Sequence, residues 1–113
     1  MSTEQFEGRD GIDVQELVEL RNAGRPHVLL DVREPDELAI CQLEGAVHMP
    51  MASVPARISE LPRQQPLVVM CHRGGRSRAI VEFLRRAGFE NALNLEGGID
   101  AWANEVDSSM AQY

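Results

Sequence analysis

Four consecutive apolar residues, Leu67-Val68-Val69-Met70, run straight into the loop Cys71-His72-Arg73-Gly74-Gly75-Arg76-Ser77. An apolar run with no polar alternation reads as a short strand covered on both faces. Beyond the loop, Ile80, Phe83, Leu84 and Ala87 recur at i, i+3, i+4 and i+7, while Arg78, Glu82, Arg85 and Arg86 lie off that line and Gly88 supplies a stop. The spacing predicts an amphipathic helix that opens at Ser77. A covered strand, a glycine loop and an amphipathic helix form the first half of a βαβ unit. They confine the chain to an α/β architecture with a mostly parallel sheet between helices.

The remaining segments fit that frame. Asp13-Val-Gln-Glu16 has the form of an N-cap with its partner carboxylate three residues on, and Val14, Leu17, Val18 and Asn22 continue at helical spacing to Gly24. Val28-Leu29-Leu30, ending at Asp31, reads as a second covered strand. Pro35 suits the first turn of a short helix reaching about Ile40. Gly45 to Met49 reads as a brief strand stopped by Pro50, and Val54 to Leu61 as a weak helix between prolines. Ala92 to Leu95 is a last strand, Gly97-Gly98 a turn, and Ile99 to Asn104 a final helix carrying Trp102 as a core residue. Residues 1–10 are polar and unpatterned, a loose lead-in; residues 11–105 form the domain and residues 106–113 a tail.

At 113 residues the chain has room for one domain. Its basic residues number 11 against 18 acidic ones, a formal charge of −7, which makes nucleic acid and anionic membranes poor partners. Every basic residue is Arg, so Schiff-base chemistry and a phosphate-binding lysine are excluded. Cys41 and Cys71 are the only cysteines, too few for a disulfide scaffold. With no apolar stretch long enough to span a bilayer, the expectation is a soluble, cytoplasmic protein.

In open α/β sheets ligands bind beyond the carboxyl ends of the strands, and Cys71 stands there. Gly74 and Gly75 let backbone amides converge on one point, and the following helix adds the positive end of its dipole. Such a nest, with Arg73 and Arg76 as forked donors to oxyanions, predicts a Cys71 thiolate at neutral pH. Loop length separates two anionic chemistries. Cysteine phosphatases place Arg after five intervening residues, which here is position 77, a Ser; Arg76 closes a loop with four residues between it and Cys71. The tighter ring suits one extra sulfur on Cys71 better than a tetrahedral phosphate, and disfavours a phosphatase or arsenate reductase.

Cys71 to Ser77 and Leu95-Glu-Gly-Gly-Ile-Asp-Ala-Trp102, together with Leu30-Asp-Val-Arg-Glu-Pro35, Gly45-Ala46 and Met49-Pro50, resemble a single-domain rhodanese from about Gly11 to Glu105. The resemblance implies a rhodanese-like α/β fold, a five-stranded, mainly parallel sheet with helices on both faces. It also implies a thiosulfate sulfurtransferase without cofactor. Cys71 would accept sulfane sulfur as a persulfide and pass it to a thiol or cyanide, with His72, Gly74, Gly75 and Ser77 contributing loop backbone and Arg73 and Arg76 binding an anionic donor such as thiosulfate. A sulfur carrier or interaction module serving a sulfur-relay protein is the alternative. Where the family often has Gly-His before the Gly-Ala turn, this chain has Cys41-Gln42.

Other polar residues read more plainly. Cys41, beside Ile40 and Leu43, reads as a packed thiol, and His72 as a backbone contributor rather than a proton carrier. His27 and His48 have no partners at metal-ligand spacing, so no metal is expected. Asp31 and Arg33 read as a brace at a strand end.

Overall fold

The computed structural model describes residues 6–113. Its strands are β1 (Gly11–Ile12), β2 (Val28–Asp31), β3 (Val47–His48), β4 (Leu67–Met70) and β5 (Ala92–Leu95). Its helices are α1 (Val14–Asn22), α2 (Pro35–Leu38), α3 (Gly75–Arg86) and α4 (Gly98–Glu105), with 3₁₀ turns at Met51–Ser53 and Pro55–Glu60. The strands form one sheet in the order β1-β5-β4-β2-β3, and every pairing is parallel.

Side-chain alternation along the strands divides the core in two. Val68 and Met70 join Leu29, Leu93 and Leu95 under α1 and α4, where Leu17, Ile99 and Trp102 pack. Leu67, Val69 and Cys71 face the other way, with Leu30, Ile80, Val81 and Leu84 under α3. From β2 the chain steps outward to β3 at one edge, and from β4 it steps outward to β5 on the other side. The loops after β2 and β4 therefore diverge, which opens a crevice at their carboxyl ends.

Several expected boundaries move. The helix after the loop begins at Gly75 rather than Ser77, so Arg76 and Ser77 belong to its first turn, and the final helix starts at Gly98. On α3 the buried residues are Ser77, Ile80, Val81 and Leu84; Ala87 is exposed, because it falls beyond the last helical turn. The short helix ends at Leu38, leaving Ile40 exposed, and the strand expected from Gly45 to Met49 is paired only at Val47–His48. The weak helix read from Val54 to Leu61 is 3₁₀ over Pro55–Glu60, with a kink at Arg57. β1 was not expected: two residues carry no periodicity, and pairing with β5 alone defines them.

α1 conforms to its capping box: the Glu16 amide donates to Asp13 Oδ1 at 2.8 Å and the Asp13 amide to Glu16 Oε1 at 3.0 Å. Of the expected lead-in, residues 1–5 lie outside the described residues, while Phe6 is buried in the α1–α4 core. Met110 and Tyr113 of the 106–113 stretch pack against the same core. Among the described residues, no helix is long and apolar enough to cross a membrane.

Candidate active site

Strand alternation carries the Cys71 side chain to the α3 side of the sheet, where it is 1% exposed. Directly after it the backbone turns sharply: Gly74 has φ +108°, a left-handed conformation that a side chain would strain. Gly74 is also the N-cap of α3 and offers no side chain to the first helical amides. Cys71 Sγ takes that place, accepting from the Gly74 amide at 3.1 Å and from the Ser77 amide at 3.4 Å. The Ser77 hydroxyl lies 3.4 Å from the same sulfur. Burial works against a charged sulfur, but the Ser77 hydroxyl and the amides of Ser77, Gly74 and Arg73 outweigh it, and the thiol sits below its ordinary pKa.

The hydroxyl has a second acceptor. Asn94, on β5, donates through Nδ2 to Glu96 Oε2 at 2.7 Å and to the Gly74 carbonyl at 3.3 Å, which fixes its amide with Oδ1 facing Ser77 Oγ. A hydroxyl has one proton, so Cys71 and Asn94 share it, while the two amides serve the sulfur alone.

Around the crevice a polar chain links β2 to the loop. Arg33, fully buried, is held by Asp31 through Nε and Nη2 and donates to the Cys41 carbonyl at 2.9 Å. Its Nη1 donates at 3.0 Å to the Tyr113 hydroxyl, which donates to Glu37 Oε2 at 2.8 Å. Glu37 in turn receives both Nη atoms of Arg76, at 2.7 and 2.8 Å. That fork holds the Glu37 carboxyl down at about 2. Burial keeps the Tyr113 phenol above its ordinary value, protonated and able to donate. The Tyr113 ring stacks on His72, with centroids 3.9 Å apart and planes 9° from parallel.

An open cleft of about 470 Å³ is lined by Cys71, His72, Arg73, Gly75, Arg76 and Tyr113. The structure thus brings the sequence-predicted loop residues to one place. Arg73 is exposed and makes no side-chain hydrogen bond among the described residues, whereas Arg76 is bound to Glu37. The His72 carbonyl accepts from the Asp100 amide and the Cys71 carbonyl from the Ile99 amide, so α4 clamps the start of the loop. His72 contributes its ring as well, as the platform for Tyr113. Cys41 is half-buried against the α1–α4 core, and Asp31 and Arg33 do brace the end of β2. His27 and His48 each bond a backbone carbonyl, and among the described residues no group of three His, Cys, Asp or Glu is placed to hold a metal.

Sequence reasoning passed over Glu37, Asn94 and Tyr113. Asn94 left a signal, an amide inside an apolar strand, which must find buried partners. Glu37 and Tyr113 left none, because their positions depend on how the segments fold back.

The family model described as Rhodanese-like domain matches residues 13–105. The chain belongs to that family. A sulfurtransferase of Allochromatium vinosum is 40% identical over 76 residues, covering 67% of this chain and 71% of that protein. The adenylyltransferase and sulfurtransferase MOCS3-2 of Zea mays is 33% identical over 109 residues; the match takes in 90% of this chain but only 23% of that protein. Among solved structures, a rhodanese-related protein from Thermoplasma volcanium superposes with a TM-score of 0.77 at 34% identity, covering 86% of this chain and 93% of the other. The five-stranded sheet between helices is therefore the rhodanese-like fold.

Proposed function

We propose that this rhodanese-like protein is a sulfurtransferase whose Cys71 carries the sulfur, with thiosulfate or a persulfide as donor and a thiol or cyanide as acceptor. Membership of the family supports sulfur transfer in general. The observation that carries the assignment to Cys71 is its sulfur at the N-terminus of α3, accepting from the Gly74 and Ser77 amides. A thiolate so held is a nucleophile, and the same donors would stabilise the charge of a persulfide.

In the first step the Cys71 thiolate attacks the outer sulfur of thiosulfate. A new S–S bond forms, the old one breaks, and sulfite leaves with the electron pair. In the second, an acceptor thiolate or cyanide attacks the outer sulfur of the Cys71 persulfide. The product is an acceptor persulfide or thiocyanate, and the Cys71 thiolate returns. Both leaving groups are stable anions, so no general acid or metal is required. Arg73, which has no side-chain partner among the described residues, attracts the anionic donor, and Arg76 adds positive charge beside the sulfur although Glu37 offsets part of it. A persulfide cycle needs reduced thiols, which suits a cytoplasmic setting.

A second reading is a sulfur carrier within a relay, and the Arg76–Glu37 pair favours it, because Glu37 occupies both Nη donors of Arg76 and weakens the hold of the loop on a small anionic donor. The test is to incubate reduced protein with thiosulfate, remove small molecules, and compare intact masses of wild type and Cys71→Ser before and after cyanide. Gain of one sulfur by wild type, lost as thiocyanate, and no gain by the mutant is the expected result. Uptake from a persulfide donor but not from thiosulfate would select the carrier. No uptake from either would overturn sulfur transfer.

A further inference from the structure

Tyr113 lines the cleft that contains Cys71, and its ring is fixed by contacts on two sides. One face of the ring lies on His72, and the hydroxyl bridges Arg33 Nη1 and Glu37 Oε2. The anchor is stiff, because Arg33 is itself bound to Asp31, the Cys41 carbonyl and the Glu37 carbonyl at the buried end of β2. The segment leading to Tyr113 is also tied down. The Met110 amide donates to the Asp107 carbonyl at 3.1 Å, Gln112 Nε2 donates to Asn104 Oδ1 at 2.9 Å, and Met110 packs on the core. A ring held at both its face and its hydroxyl behaves as a wall, and it is one side of the open cleft that Cys71 also lines.

We propose that Tyr113 is a specificity-determining residue that limits the cleft at Cys71 to slender sulfur compounds, small anions or unbranched thiols, and disfavours persulfides borne on a bulky body. As a statement about substrates this rests on Cys71 being the sulfur acceptor; as a statement about access it does not.

The experiment compares methyl and benzyl methanethiosulfonate, neutral reagents with the same reacting group. The Cys71 thiolate attacks the sulfenyl sulfur, a mixed disulfide forms and methanesulfinate leaves, and peptide mass mapping reads Cys71 and Cys41 separately. In wild type the methyl reagent is strongly preferred at Cys71. Tyr113→Ala is expected to raise the benzyl rate relative to the methyl rate by about tenfold, the scale of one badly fitting group in a pocket, with the ratio at Cys41 unchanged. An unchanged ratio at Cys71 overturns the proposal. Should the alanine variant lose its melting transition, Tyr113→Leu, which keeps apolar packing and removes the outer part of the ring, decides by the same criterion. Failure of wild type to take up sulfur from any donor would sink the transfer reading while leaving the wall; sulfur uptake with an unchanged ratio would do the reverse.

Discussion

Gly98 stands against the carbonyl of Cys71: a methyl group at Gly98 would come within 2.5 Å of that oxygen and of the His72 oxygen. The contact lets the Ile99 and Asp100 amides reach those two carbonyls, and Gly98 also has φ +59°. Gly98→Ala is therefore expected to cost about 2 kcal/mol or more, since neither the backbone angle nor the space tolerates a side chain. Urea unfolding checks the stability. Sulfur uptake by mass spectrometry is expected to fall as well, because the displaced carbonyls begin the loop that holds Cys71.

Glu37 links Arg76 to Tyr113, and its carboxyl is held at about 2 against an ordinary value of 4.5. A depressed carboxylate contributes its stability in full above the unfolded value and loses it as the pH falls through the folded one. The side chains are 15% and 37% exposed, so solvent screening reduces the contribution to about 1 kcal/mol. Glu37→Gln should lower stability by that amount at pH 7, and the gap to wild type should close between pH 4.5 and about 2. Urea midpoints across that range measure it; a gap that stays constant would contradict the assignment.

Ser77 gives the Cys71 sulfur one amide and one shared hydroxyl proton. Ser77→Ala keeps the amide and the Gly74 amide. Its alkylation rate by iodoacetamide, followed against pH, should show a midpoint raised from wild type but still below that of the unfolded chain. A midpoint equal to the unfolded one would mean that the hydroxyl, not the backbone, sustains the thiolate.

Asp31 is the only carboxylate bonded to the buried Arg33 guanidinium among the described residues. Asp31→Ala leaves a desolvated charge with carbonyl and phenol partners alone, which costs about 3 to 5 kcal/mol. Against an ordinary stability of about 5 to 15 kcal/mol that is a large loss, visible as a greatly lowered thermal transition.

How much of this was legible in the sequence follows from how local each feature is. β4 and the body of α3 announce themselves because an apolar run and a 3.6-residue period are written into adjacent residues. Cys71 follows from them, being the first residue past a buried strand. The start of α3 does not, because φ at Gly74 rather than any hydroxyl cap decides where the helix begins. Arg76 could be placed at the site, but not its bond to Glu37, which lies 39 positions away. Tyr113 meets Arg33 across 80 positions, and nothing in the neighbouring residues foretells it.

β1 and β3 close the two margins of the sheet with only two residues each. Among the described residues, an approaching extended peptide would find no more than a couple of amides and carbonyls on either margin before the backbone turns away, with the Gly11 carbonyl already accepting from Arg9 Nη2, too few to template its own addition. Most proteins with longer borders need charges or prolines to discourage such growth. Here brevity does it, and the sheet can remain almost wholly apolar through its middle strands without inviting fibres.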